Sequence, residues 1–365
     1  QRFAAHWQNL LKSVVSDARH CVADLPILGS DEQAQMLYQW NPPQPTRAAH
    51  SSVLHKFEQQ VVTQPQAIAL IMDQRRMTYA DLNLRANRLA HKLIEQGVTA
   101  DSLVGVAVDR SLEMIVALLA VLKAGGAYVP LDPQYPADRL QCMIEDSGLQ
   151  LLLTQQPLLE RLPISAGLAL ICLEADTDWL AEYPGSNPPV RAFPTNLAYL
   201  MFTSGSTGRP KGVGIDQASL ARHVEVFIEL FELTAADRVL QFGTFNFDGF
   251  VEQLYPALCC GAAVVVRGGE LWDSDTFYAQ LIEHEISVVD LTTAYWPPIA
   301  PHFDATPLRA PGRLRQLPAR AEATPPARLA SSRLGALGPS PPPTTAGPPE
   351  ANRPPPPHGC AGPLA

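Results

Sequence analysis

Between Thr203 and Lys211 the chain reads Thr-Ser-Gly-Ser-Thr-Gly-Arg-Pro-Lys, residue types and spacing that suit a polyphosphate. Thr203, Ser204, Ser206 and Thr207 offer hydroxyl donors. Gly205, Gly208 and Gly212 permit positive φ and close approach of backbone N–H groups, and Lys211 adds a compact positive charge. The apolar run before them, Leu197 to Phe202, reads as a buried strand, so the donors sit where a strand breaks into a loop. This is not a Walker A motif, because no Gly-Lys-Ser/Thr follows Gly205 at the required spacing. A flexible Ser/Gly linker is the plain alternative, but linkers rarely follow an apolar strand and end in Arg-Pro-Lys-Gly.

A second group lies in Phe245-Asn-Phe-Asp-Gly-Phe-Val-Glu. Asp248 has Phe245, Phe247, Phe250 and Val251 around it, and a carboxylate in apolar company needs a partner. It is a ligand-binding group, a helix N-cap or half of a structural ion pair. Glu252 follows four residues later and shares a helix face with Asp248, though alone it reads equally as a surface glutamate. The nine histidines and six cysteines show neither metal-ligand nor triad spacing. Only Cys259 and Cys260 adjoin, so free thiols in a reducing compartment are expected.

These groups need a scaffold, and the pattern from Ser52 onward supplies one. Expected helices cover Val53 to Val61, a segment opened by an N-cap at Thr78, Glu113 to Ala124 and Leu220 to Phe231. Expected strands cover Ala67 to Ile71, Val104 to Val108, Ala127 to Val129, Leu151 to Thr154, Leu168 to Leu173, Arg238 to Phe242, Ala262 to Val266 and Ile286 to Leu291. Gly97 should end one helix, and Gly125 with Gly126 another. The alternation implies an α/β fold with mostly parallel sheets flanked by helices, and ligands at strand carboxyl ends. Residues 1–45 read as a separate end piece, with Phe3, Trp7, Leu10, Leu11 and Val14 at helical spacing.

Composition bounds the function. The net charge of −9 argues against nucleic acid or an anionic membrane as main partner. No signal peptide or membrane-spanning run is found, which gives a cytoplasmic expectation. Many of the 35 prolines crowd the C-terminal end. Residues 309–365 lack Val, Ile and every aromatic, so an irregular, poorly ordered tail is expected.

Thr203 to Gly212 resembles the phosphate loop of adenylate-forming enzymes, which include acyl-CoA ligases, luciferases and the adenylation domains of nonribosomal peptide synthetases. The decapeptide Lys123-Ala-Gly-Gly-Ala-Tyr-Val-Pro-Leu-Asp is similar to one typical of the peptide-synthetase members. Residues 1–45 resemble the end of a condensation domain and its linker, and residues 46–308 the N-terminal core of an adenylation domain. Arg320-Ala-Glu-Ala-Thr-Pro-Pro looks like an altered Gly-Gly-Glu-Ala motif, and Ala346-Gly-Pro-Pro-Glu-Ala like an altered Tyr-Gly-Pro-Thr-Glu motif. The tail therefore reads as local corruption of an in-register sequence.

The resemblance implies activation of an amino acid by ATP and Mg2+ as an aminoacyl-adenylate, then transfer to phosphopantetheine on a peptidyl carrier domain. Condensation domains of the same synthetase are the other implied partner. Thr203, Ser204, Gly205, Ser206, Thr207, Gly208 and Lys211 would hold ATP. Asp248 would clamp the α-ammonium of the substrate, and Gly249, Glu252 and Ala294 would line its side-chain pocket. Tyr295 and Trp296 would pack nearby, and Glu350 would assist the metal. The family's catalytic Lys lies in motifs beyond Ala365, so this chain alone is expected to be inactive. An acyl-CoA ligase and a non-catalytic nucleotide- or amino-acid-binding module are the alternatives.

Overall fold

The computed structural model describes residues 2–19, 21–40, 51–164, 167–173, 180–203, 209–291, 295, 297, 299 and 315–316. The chain divides into two compact units, Gln1–His50 and Ser51–Ala365. In the first, α1 (Arg2–Ser16) is the amphipathic helix its spacing predicts. The short helix α2 (Ser30–Ala34) continues as a π turn over Gln35–Gln39. His6 Nε2 lies 2.8 Å from Glu32 Oε2, and Asn9 Nδ2 donates to the Ile27 carbonyl at 3.1 Å, which ties α2 to α1.

The second unit holds two six-stranded sheets. One contains β1 (Ile68–Met72), β2 (Arg75–Thr78), β9 (Arg238–Gln241), β10 (Ala263–Val266), β11 (Val288–Val289) and β12 (Arg315–Gln316), in the order β12-β11-β9-β10-β1-β2. The other contains β3 (Leu103–Ala107), β4 (Ala127–Pro130), β5 (Leu151–Thr154), β6 (Ala169–Cys172), β7 (Leu197–Thr203) and β8 (Lys211–Asp216), in the order β6-β5-β3-β4-β7-β8. All neighbours run parallel except β1 with β2 and β7 with β8.

The strands read as continuous apolar runs because both faces are covered. Helices α3 (Val53–Thr63), α4 (Tyr79–Glu95), α5 (Leu112–Lys123), α7 (Gln217–Leu230) and α8 (Asp248–Cys260) share one core with a face of each sheet. Helix α9 (Ser274–Glu283) covers the other face of the first sheet, and α6 (Ala137–Ser147) that of the second. The period of two is visible residue by residue. Val264 and Val266 enter the shared core, while Ala263 and Val265 pack under α9. All of α5 is buried, so its charges are paired: Glu113 with Arg75, and Lys123 with Glu58.

Helix ends follow sequence chemistry. Thr78 Oγ1 accepts from the Asp81 N–H at 3.1 Å, and its hydroxyl donates to Asp81 Oδ2 at 2.7 Å. Gly97 and Gly125 adopt φ +90 at the ends of α4 and α5. The expected elements leave out β2, which takes up Met77, and β8, α6, α9 and β12, although α6 buries Leu140, Met143 and Ile144 at helical spacing. Beyond residue 300 only β12 is described, so the expected irregular tail lies outside the described residues.

Candidate active site

The loop that follows β7 returns as an antiparallel strand. Thr203 pairs with Lys211 and Phe202 with Gly212. The segment is therefore a hairpin connection rather than the expected βα loop, although it does open at the carboxyl end of a parallel strand. Gly212 lies extended in β8 and does not use positive φ. Its value is closeness, since a Cβ there would sit 3.4 Å from the Leu200 side chain. Ser204, Gly205, Ser206, Thr207 and Gly208 lie outside the described residues.

The hairpin mouth is framed by described side chains. Thr203 Oγ1 donates to the Lys211 carbonyl at 3.4 Å, and both residues are exposed. Arg209, just past the loop, donates from Nε and Nη2 to Asp146 of α6 at 3.1 and 2.5 Å. Lys211 is exposed and has no ion-pair partner among the described residues. Such a cation beside hydroxyl donors suits an anionic oxygen.

Tyr199 links this mouth to the second group. Tyr199, Met201 and Thr203 alternate onto the same face of β7, and Tyr199 and Met201 enter the core shared with α8. The Tyr199 ring stacks on Tyr128 with centroids 5.4 Å apart. Burial first, then the charges of Asp248 and Glu252, push its hydroxyl pKa up to about 12. Both carboxylates thus lie within electrostatic reach of the strand that carries the loop.

Asp248 is the first residue of α8 and is exposed, while Phe247 is the N-cap. The helix dipole favours a carboxylate at this end. Glu252, one turn on, is only 4% exposed. His223 of α7 brings Nε2 to 3.8 Å from Glu252 Oε1 and packs its ring 4.4 Å from that of Phe227. Glu252 therefore has the His223 imidazole as a neighbour. Gly249 is partly covered beside Phe247, and Ala294, Trp296 and Glu350 lie outside the described residues. Tyr295 donates to the Trp272 carbonyl and packs on Phe242, 4.5 Å between centroids, away from any reacting role.

Several residues escaped the sequence reading. Gln253 Oε1 accepts from the Phe242 and Gly243 N–H groups at 2.8 and 2.9 Å, and its Nε2 donates to the Asp290 carbonyl at 2.8 Å. Arg110 reaches the same turn from the other sheet, donating from Nη2 to the Phe242 carbonyl at 2.8 Å. Burial and neighbouring Arg267 push the Arg110 pKa down to about 9, and the carbonyl oxygens around the guanidinium solvate it where a carboxylate would otherwise be needed. Only the Asp132 charge at the end of the Lys123 decapeptide opposes that fall.

No group of three or more His, Cys, Asp or Glu among the described residues is arranged to hold a metal ion. A magnesium ion beside phosphate takes one or two carboxylates and several waters, a smaller demand on the protein.

Residues 57–344 match the AMP-binding enzyme family. The chain belongs to this family. It is 44% identical over 262 residues to a linear gramicidin synthase of Brevibacillus parabrevis, covering 72% of this chain and 3% of that protein. It is 42% identical over 294 residues to chondramide synthase cmdD of Chondromyces crocatus, covering 80% and 8%. The chain thus spans less than a tenth of either relative. A nonribosomal peptide synthetase crystallised in an AMPPNP-bound form superposes with TM-score 0.70 at 25% identity, over 82% of this chain and 32% of that one. The N-terminal subdomain of Klebsiella oxytoca NpsA, in complex with 3-hydroxybenzoyl-AMSN, shares the fold with TM-score 0.62 at 22% identity, over 71% and 64%. This AMP-binding domain is therefore of the nonribosomal peptide synthetase type, an adenylate-forming ligase by family. No described helix is long and apolar enough to cross a membrane.

Proposed function

We propose that this domain serves a synthetase that joins an amino-acid carboxylate to the α-phosphate of ATP, with release of pyrophosphate, for later transfer to a carrier-bound phosphopantetheine thiol. The observation that carries this reading is β7. Its carboxyl end opens the hydroxyl- and lysine-bearing hairpin, and its Tyr199 feels both carboxylates of α8. On this reading the groups at the carboxyl end of β7 would take phosphate and Asp248 would take the ammonium, so that one strand supports the meeting of the two anions. Thr203 and Lys211, with residues 204–208, would hold the triphosphate. Magnesium would neutralise phosphate charge, and Glu350 would be its acidic neighbour. Asp248 would take the α-ammonium, which favours an amino acid over the fatty or aryl acid of an acyl-CoA ligase.

Gly249, Glu252 and Ala294 would form the side-chain pocket. Small residues at two positions leave length, and a buried carboxylate at the third favours a basic substrate such as lysine, ornithine or arginine. His223 supports a second reading, since a protonated imidazole beside Glu252 leaves the pocket suited to a neutral polar side chain. Residues 1–45 would be the end of a condensation domain, 46–308 the adenylation core, and 309–365 an altered continuation, in keeping with a family match that runs to residue 344. A cytoplasmic setting and a carrier domain as partner fit this context. For the 365-residue polypeptide alone we expect negligible ATP–pyrophosphate exchange, since Ala346 and Pro349 replace an aromatic and a hydroxyl residue; robust exchange contradicts this.

The specificity test is equilibrium binding of lysyl-, ornithyl-, leucyl- and phenylalanyl-sulfamoyladenosine. Basic analogues should bind tightest, and Glu252→Gln should erase that preference. Leucyl or phenylalanyl analogues outbinding both basic ones, or an unchanged preference in Glu252→Gln, overturns the charge-matching reading.

A further inference from the structure

The turn that delivers Asp248 is clamped from two directions. Residues 241–243 join β9 to the segment leading into α8. Arg110, which follows β3 in the other sheet, donates from Nη1 to Gln241 Oε1 at 3.0 Å and to the Arg267 carbonyl at 3.4 Å. From Nη2 it donates to the Phe242 carbonyl at 2.8 Å and to the Gly243 carbonyl. Gln241 Nε2 donates to that Gly243 carbonyl at 2.6 Å. Gln253 of α8 holds the amides of the same two residues. Both backbone groups of Phe242 and Gly243 are thus tied, the amides by Gln253 of the helix and the carbonyls by Arg110 from the other sheet, with Gln241 and Arg267 Nε (3.4 Å to the Phe242 carbonyl) adding donors from their own sheet.

A guanidinium is suited to this work. It presents several donors in a rigid fork and keeps its charge, which a lysine ammonium does not match in geometry. Ordinary sheet-to-sheet packing would be served by an apolar side chain. Spending a partly buried cation on the carbonyls of one three-residue turn points to that turn's conformation as the thing being fixed. Gly243 suits the arrangement, because a Cβ there would meet Gln253 Oε1 at 3.4 Å.

We propose that Arg110 is a positioning residue for substrate: it fixes the start of α8, and so the Asp248 carboxylate, relative to the sheet that carries the phosphate loop. The role rests on the reading of Asp248 as the ammonium clamp. Arg110 touches no substrate; it registers the amino-acid half of the site against the nucleotide half, across the carboxyl ends of the two sheets.

The test uses the whole chain and three probes: AMPPNP, lysyl-sulfamoyladenosine, and the same analogue lacking its α-amino group. The dissociation constant of the analogue lacking the α-amino group, divided by that of lysyl-sulfamoyladenosine, reads the ammonium clamp. Arg110→Lys should lower that ratio at least fivefold, leave AMPPNP binding within twofold, and speed amide exchange at residues 242–248 but not along β7. Arg110→Gln should do the same more strongly. An unchanged ratio in Arg110→Lys overturns the inference. So does parallel loss of both ligands, or failure of both variants to fold, since these assign Arg110 to the fold alone. If wild type shows no preference for the amino analogue, it is the ammonium-clamp reading that fails.

Discussion

The hairpin mouth and the α8 corner do comparable work by opposite means. The mouth is contiguous: its donors fall within one stretch, and it opens to solvent with Lys211 exposed. The corner is assembled from α7, α8, β7 and the segment after β3; Glu252 is buried and Arg110 and His223 are half-buried there, while Asp248 is exposed at the start of α8. Charge at the mouth and at Asp248 meets water, whereas the buried Glu252 and the half-buried Arg110 are met by named protein partners. On the proposed reading, a phosphate site would be built from local sequence, while an amino-acid pocket would draw on residues far apart in the chain.

The largest expected effects separate the two regions. Lys211→Ala should weaken AMPPNP roughly 10- to 100-fold, and Asp248→Asn should weaken the lysyl analogue by a similar factor, each being worth a charged hydrogen bond of ~1.5–3 kcal/mol. Calorimetric titration of both variants checks this. If each mutation weakened both ligands alike, the division of labour would be wrong.

Gln253→Leu should be next. It strands two buried amides, so a loss of about 1–3 kcal/mol in denaturant unfolding is expected, with hydrogen exchange rising first at Phe242 and Gly243. Asp146→Asn removes an exposed ion pair with Arg209 and should change stability by under about 1 kcal/mol.

Tyr199 gives the finest reading of the corner. Its hydroxyl ionises at about 12 in the folded chain, above the ordinary tyrosine value, so folding favours the neutral phenol. That contribution is fully present below about pH 10 and is lost as pH rises through 12. Carbon-13 NMR of ring-labelled tyrosine, assigned with Tyr199→Phe, follows it. Asp248→Asn and Glu252→Gln should each lower the value slightly, with burial keeping it above 10. No movement in either variant would mean that the carboxylates do not act on β7.

How much was legible follows the same division. The strand into the loop, the Thr78 cap, the buried helix α5 and the Asp248–Glu252 helix face all rest on local pattern, and the fold reproduces them. Strand β8 was hidden because Val213 and Ile215 are its only apolar residues, exposed and half-buried, and glycines at 212 and 214 lower its strand propensity. Arg110 and Gln253 were hidden because a polar residue in a loop or in a buried helix gives no sign of the turn it holds. His223 could have been suspected only by placing α7 beside α8, a contact that spacing within either helix does not encode.

The most direct test of the central claim is a paired binding measurement on wild type and Asp248→Asn, using lysyl-sulfamoyladenosine and its counterpart lacking the α-amino group. Wild type should prefer the amino form by at least tenfold, and Asp248→Asn should bind both forms equally. Equal affinity for the two forms in wild type, or a preference that survives in Asp248→Asn, would contradict the assignment of α8 as the amino-acid half of the site.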